Sequence, residues 1–136
     1  MAGTTFTLEI VTPKKVVFNG TAQSFSAPGV MGGFQVLVNH APMLAEIGVG
    51  EVALRDGEGT LSHYATSGGV VEVKQNHVIL MAESAERADE IDARRAETAR
   101  DRAKMRISEF KPETDIERAK GALRRAANRL KVSSRG

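Results

Sequence analysis

Polar and apolar positions alternate along the first part of this chain and recur three and four apart along the second. Phe6, Leu8 and Ile10 alternate with Thr5, Thr7 and Glu9, the period of a half-buried strand. Val16 to Phe18 leads into Asn19-Gly20, a dipeptide that tolerates positive φ and predicts a two-residue hairpin, with Ala22 to Ala27 as the return strand. Phe34, Val36 and Val38 alternate with Gln35, Leu37 and Asn39, too apolar on both sides for an ordinary half-wet strand. Pro42, which has no amide hydrogen to donate, ends that pairing. The stretch Ala27 to Gly50 is therefore a strand-turn-strand corner with an apolar, glycine-softened tip, suited to docking more than to catalysis. Glu51 to Arg55, Thr60 to Thr66, Val70 to Lys74 and His77 to Ala82 read as further strands, separated by Asp56-Gly57-Glu58-Gly59 and Ser67-Gly68-Gly69. Short strands at this spacing predict a β-sandwich or a flattened barrel.

From Ser84 the period becomes helical. Ser84 reads as an N-cap, and Ala88, Asp92, Ala96, Ala99, Ala103, Ile107 and Phe110 form one narrow stripe. A break at Ser108 to Pro112 precedes Thr114-Asp115-Ile116-Glu117, a capping box that opens a second helix. Its stripe is Ile116, Ala119, Leu123, Ala126 and Leu130, and the short connection makes the two helices antiparallel neighbours. Burying an alanine methyl contributes roughly 0.8 kcal/mol, against roughly 1.5–3 kcal/mol for a leucine or isoleucine. Such a hairpin is expected to be held weakly and to be able to detach. The expected architecture is α+β by segment: a sandwich over residues 1–84 and a helical hairpin over 85–136.

Charge sharpens this division. Met1 to Ser84 carries a net −3 and Ala85 to Gly136 a net +5, and every aromatic residue except Phe110 lies in the first segment. The chain contains no cysteine, which excludes disulfides and thiolate chemistry. No apolar run reaches bilayer-spanning length, and the first residues lack a signal-peptide layout.

Little here resembles an active site. His40, His63 and His77 share no metal-ligand spacing, so structural or interface roles are expected and no metal or catalytic residue is assigned. Gly29-Val30-Met31-Gly32-Gly33 lacks the Lys-Ser/Thr that completes a phosphate loop. The basic helices interleave acids and carry no aromatics for base stacking, which argues against nucleic acid. Arginines are the sharpest local feature. Arg95, Arg102 and Arg106 share one side of the first helix with Ile91, while Arg118, Arg125 and Arg129 share one side of the second. Guanidinium forks grouped in this way suit phosphate, although intrahelical pairs such as Asp92 with Arg95 account for part of the pattern.

Gly32-Gly33-Phe34-Gln35-Val36-Leu37-Val38-Asn39-His40-Ala41-Pro42-Met43-Leu44, then Ser67-Gly68-Gly69-Val70-Val71-Glu72-Val73, then Val78 to Glu83 before a charged alanine-rich helix, resemble the epsilon subunit of F-type ATP synthases (delta in mitochondria). The likeness covers nearly the whole chain. It departs at Gln35, where glycine is usual, at Val38-Asn39, where Pro-Gly is usual, and at Gly33, where some members carry a ring-facing acid.

The resemblance implies a ten-stranded sandwich, followed by two helices, in a non-catalytic rotor subunit that couples proton flow to ATP synthesis. Its expected partners are the gamma subunit and the c-subunit ring, through Met31, Gly32, Gly33, Phe34, His40, Ala41, Pro42 and Met43. The hairpin is expected to reach the alpha/beta hexamer when extended, and in bacteria that form can brake ATP hydrolysis. Some members bind regulatory ATP in the folded hairpin. The matching positions here are Ile91, Asp92, Arg95 and Ala96, with Arg125 and Arg129 on the second helix. No cofactor is required. The implied location is the cytoplasmic face of a bacterial inner membrane, peripheral through the complex. The alternative is a ligand-sensing β-domain with a helical partner-binding tail unconnected to a rotor.

Overall fold

In the computed structural model, which describes residues 4–109, 111 and 115–136, alternation produces nine strands and helical periodicity two helices. The strands are β1 (Phe6–Val11), β2 (Val16–Ala27), β3 (Phe34–Val36), β4 (Met43–Ile47), β5 (Gly50–Asp56), β6 (Leu61–Thr66), β7 (Gly69–Lys74), β8 (His77–Ala82) and β9 (Ala85–Arg87). They hydrogen-bond in the order β4-β7-β8-β1-β2-β5-β6-β9, with β3 also pairing β2. All pairings are antiparallel except that between β1 and β8. A bridge between Gly29 and Ile47 ties the glycine corner to β4.

The inward residues of these strands form one core, including Leu8, Ile10, Phe25, Leu54, Val71 and Leu80, each buried. Nine strands stand against the ten implied by the resemblance, and the sandwich followed by two helices is as expected.

Two local expectations fail. Asn19-Gly20 makes no hairpin: β2 runs through it, with Asn19 opposite Glu9 and Gly20 opposite Leu8. The chain reverses earlier, where the Thr12 amide and hydroxyl both donate to the Lys15 carbonyl. Ladder pairing along β1 outweighs the dipeptide's turn preference, because a turn there would forgo those bonds. Nor does Ser84 cap a helix. Its hydroxyl meets that of Ser67 at 2.7 Å, and Ala85 to Arg87 continue extended as β9 along the edge of β6.

After a 3-10 turn over Ala88–Glu90, helix α1 (Ala93–Ser108) begins with Asp92 as N-cap, its carboxylate accepting from the Arg95 amide at 3.1 Å. Helix α2 (Ile116–Ser133) begins the same way, Asp115 accepting from the Arg118 amide at 3.0 Å. An Asx cap supplies an acceptor for an otherwise orphaned helix N–H. The expected capping box starts at Thr114, which lies outside the described residues, as do Phe110 and Pro112.

Ala96 and Ala103 of α1 and Ala119 and Ala126 of α2 are buried, so the alanine stripes form the seam between the helices. Only α2 meets the sheet closely, along β5, β6 and the 3-10 turn. That contact centres on Val132, fully buried in a small cluster with Ala65, Ala88 and Ile91, separate from the main core. The apolar moiety of the junction is therefore one valine, one isoleucine and two alanines, and polar contacts supply the rest.

Candidate functional sites

The arginine cleft is built where α1 starts beside the end of α2. Asp92, Arg94, Arg95, Thr98, Ala99, Arg102 and Arg129 line a cleft of about 430 Å³. One carboxylate here faces four guanidinium groups. Arg94, Arg95 and Arg102 make no ion pair among the described residues. The cap bond uses the Arg95 amide, so the expected Asp92–Arg95 pairing leaves the Arg95 guanidinium uncommitted. Elsewhere on α1, Arg100 pairs with Asp101 at 3.1 Å. The cleft is therefore a cationic recess with geometry suited to an anion.

Of the predicted nucleotide residues, Asp92, Arg95 and Arg129 share this cleft. Arg125 lies on a smaller niche of about 50 Å³ with Ala65, Thr66, Ser67, Ser84, Glu86 and Arg129. Arg129 belongs to both. Ile91 and Ala96 line neither: Ile91 packs with Val132, and Ala96 is buried in the helical seam.

Arg94 and Thr98 escape the sequence reading because helical spacing alone does not reveal which flank a second helix will leave open. The helical period predicted from Ser84 hides Glu86 as a partner. In β9 it accepts two bonds from Arg129, Nε at 2.7 Å and Nη2 at 3.0 Å. Alongside it, the Asn128 side-chain amide donates to the Gly50 carbonyl at 2.8 Å. Arg135 reaches Glu51 at 3.3 Å, and the same carboxylate holds His63 Nδ1 at 2.6 Å. Near the joint, Arg87 Nε donates to Asp89 at 2.7 Å, and this bond holds the Asp89 carboxyl below its ordinary range. Burial pushes the Tyr64 hydroxyl above its ordinary value, with Arg87 opposing and Glu90 and Asp89 adding to the rise.

The second candidate surface begins at the glycine corner. Gly29 is confined by its turn, since a Cβ there would lie 2.5 Å from the Gly32 carbonyl oxygen. Gly32 itself has φ 128°, a conformation few other residues adopt. The turn lifts Met31 into solvent at 97% exposure, with Val30 and Leu37 about half exposed. Among the predicted interface residues, Met31, Gly32, Gly33, Ala41 and Pro42 are exposed and His40 is partly so. Phe34 and Met43 instead pack against the main core.

A neighbouring apolar surface escapes the sequence reading. On the outer face of β4, β7 and β8, Leu44 is 70% exposed and Met81 49%, with Val70 and Ile79 partly exposed. Their register sets Leu44 beside Glu72 and Ile79, and Glu46 beside Val70 and Met81. A signal existed: Val78-Ile79-Leu80-Met81 is apolar on both faces, the pattern of a strand covered on both sides. Among the described residues no helix is long and apolar enough to cross a membrane, and no acid or histidine cluster has the makings of a metal site.

Comparison with known proteins gives one consistent result. The family model described as ATP synthase, Delta/Epsilon chain, beta-sandwich domain matches residues 5–88, and the long alpha-helix domain of the same chain matches 89–134. The ATP synthase epsilon chain of Moorella thermoacetica is 44% identical, over 93% of this chain and 94% of its own length. That of Desulforamulus reducens is 41% identical, over 93% and 95%. Among solved structures, a chain of the Euglena gracilis mitochondrial ATP synthase (OSCP/F1/c-ring) superposes with TM-score 0.81 at 16% identity, covering 92% of this chain and 79% of that one. A chain of the Tetrahymena thermophila mitochondrial ATP synthase central stalk/c-ring gives 0.58 at 14%, covering 95% and 93%. At those identities the superpositions speak for the fold.

Proposed function

The chain belongs to the ATP synthase delta/epsilon family as a non-catalytic subunit, and from that premise we propose that it serves as a rotor element of the central stalk, gripping its neighbours with the sandwich and carrying the hairpin as a regulatory arm. The observation that carries this reading is the set of exposed apolar side chains at two places, Val30 and Met31 at the glycine corner and Leu44 and Met81 on the outer sheet face. Scattered exposed apolar residues are ordinary on a soluble protein, whereas a grouped set beside a protruding turn marks an interface. The tip at Met31, Leu37, Ala41 and Pro42 meets the polar loops of the c-subunit ring. The outer face at Leu44, Val70, Ile79 and Met81 lies against gamma. Torque then passes through a body whose interior is continuous, without demanding anything of the helices. The location that follows is peripheral, on the cytoplasmic face of a bacterial inner membrane.

Reconstitution into ATP synthase depleted of this subunit tests the assignment. Wild type should restore proton-coupled ATP synthesis, and Met81→Asp with Leu44→Asp should fail to bind while retaining the native circular dichroism spectrum. Full binding by that double variant would remove the outer face from the interface.

For the hairpin, the cationic cleft favours ATP as a regulatory ligand, with Asp92, Arg95 and Arg129 as its polar contacts and Arg125, on the adjoining niche that shares Arg129, as a further one. Ile91 and Ala96 act by packing the two helices. Release of the hairpin from β5 and β6 would let its basic surface reach the alpha/beta hexamer. A ligand that engages only the docked pose shifts the balance toward it by its differential affinity. Calorimetry on wild type, Arg95→Ala and Arg125→Ala tests the ligand. Saturable binding of ATP that both variants weaken supports the site, and equal binding by all three refutes it.

A further inference from the structure

Three described non-glycine residues have positive φ: Asn39 at 62°, Gln75 at 51° and Asn76 at 57°. Gln75 and Asn76 are the central pair of the tight turn between β7 and β8, closed by Lys74 opposite His77. Two successive positive φ values define the mirror-image turn that suits a hairpin, where glycine is the easiest second residue. Asn39 occupies a similar backbone conformation after β3, at a position where the resemblance above expects glycine. Both places thus carry asparagine where glycine would fit with less strain, and their side chains meet. The Asn39 amide donates to Asn76 Oδ1 at 2.5 Å, and Asn76 Nδ2 donates to Asn39 Oδ1 at 2.9 Å. The Asn76 carbonyl in turn accepts from the amide of Thr7, in β1, at 2.9 Å and from its hydroxyl at 3.2 Å.

We propose that Asn39 and Asn76 form an amide clasp that holds the docking loop, residues 37–42, in the shape its partner recognises. Among the described residues, Asn39 makes all the hydrogen bonds that join this loop to the rest of the protein. His40 bonds only to the adjacent Ala41 carbonyl. Through Asn76 the loop is tied to a short turn, and through Thr7 to β1, which is hydrogen-bonded on both sides. The clasp orders Leu37 before docking, so that less conformational freedom is lost on binding. Asn39 and Asn76 are positioning residues on this account. The role in docking rests on the reading above that this loop meets the c-ring, whereas the clasp itself does not.

Asn76→Gly separates the two. Glycine suits the turn, so the fold should persist while both side-chain bonds vanish. Backbone NMR relaxation should then show order parameters across 37–42 falling from about 0.85 toward 0.6 or below. Dissociation from reconstituted, subunit-depleted ATP synthase should accelerate about tenfold. Asn39→Gly, which keeps the backbone donor and loses one bond, should lie between Asn76→Gly and wild type. Unchanged order parameters in Asn76→Gly would overturn the clasp. A mobile loop with unchanged dissociation would overturn its part in docking. Leu37→Asp is the control for the surface itself: if it too dissociates like wild type, the loop's docking assignment is wrong, while the relaxation result still decides the clasp.

Discussion

The sandwich and the hairpin of this molecule are stabilised by different means. Inside the sandwich, side chains as large as Phe25, Leu8, Leu54 and Leu80 are almost wholly removed from water and touch residues from distant parts of the chain. The helices bury mostly alanine against one another, and the hairpin meets the sheet through Val132, two arginine–carboxylate contacts and one asparagine bond. Burying a leucine stabilises by roughly 1.5–3 kcal/mol, while a partly exposed ion pair contributes roughly 0–1 kcal/mol. The proposed division into a force-transmitting body and a releasable arm draws on this disparity. Local opening in the arm can then occur far more often than global unfolding.

That contrast can be broken most forcefully from the sandwich side. Leu80→Ala should cost about 2–5 kcal/mol and lower the denaturation midpoint of the whole body. A loss confined to a few tenths of a kcal/mol would mean that the sheet is not the rigid partner. At the joint, Val132→Ala removes two carbons from a fully buried site, worth about 1.6 kcal/mol at roughly 0.8 each. Hydrogen exchange should accelerate in α2 and leave β1, β2 and β8 unaffected. Equal acceleration in those strands would show that arm and body open as one unit. Glu86→Gln weakens the paired bonds to Arg129, whose surroundings are about a third exposed, and should favour opening of α2 by about 1 kcal/mol or less. The same exchange experiment reads it, and an effect as large as that of Val132→Ala would shift the weight from packing to charge.

Titration gives the finest comparison. Asp89 has a folded pKa below its ordinary 3.8, so its contribution is present above that value and is lost as pH falls through the lower, folded one. Tyr64, raised above 10.0 by burial, contributes below that value and loses its contribution as pH rises through the higher, folded one. Carboxyl NMR should therefore find the Asp89 midpoint below 3.8, and tyrosine absorbance should find Tyr64 ionising above 10.0. Acid should therefore act on the Arg87–Asp89 bond beside β9, and alkali on Tyr64 in the core. Coincident loss of β9 and β1 protection at low pH would contradict that assignment.

Much of the body was readable from the chain because inward and outward residues alternate with a period no helix shares. Phe6, Leu8 and Ile10 identify β1 on that ground alone, and all three are buried. Asn19-Gly20 misleads because its local preference is real but weaker than the ladder bonds contributed by β1, a separate segment. Helix α1 starts after Asp92 and not at Ser84 for a related reason. Ala85, Glu86 and Arg87 are good helix formers, yet the open edge of β6 recruits them as a strand. The cleft was half legible: spacing put Arg95 and Arg102 on one side of α1, but only the docked second helix brings Arg129 to them and Glu86 to Arg129.

The amino-acid sequence by itself determined the strand periodicity, the alanine-lined helices, the change of charge between them and the motifs that mark the family, since each follows from residues close together along the chain. Tertiary structure decided where α1 begins, which arginines face a common recess, that Val132 bears the junction, and that Asn39 meets Asn76. These depend on contacts between segments tens of residues apart, where packing and pairing outweigh the preference of any short stretch.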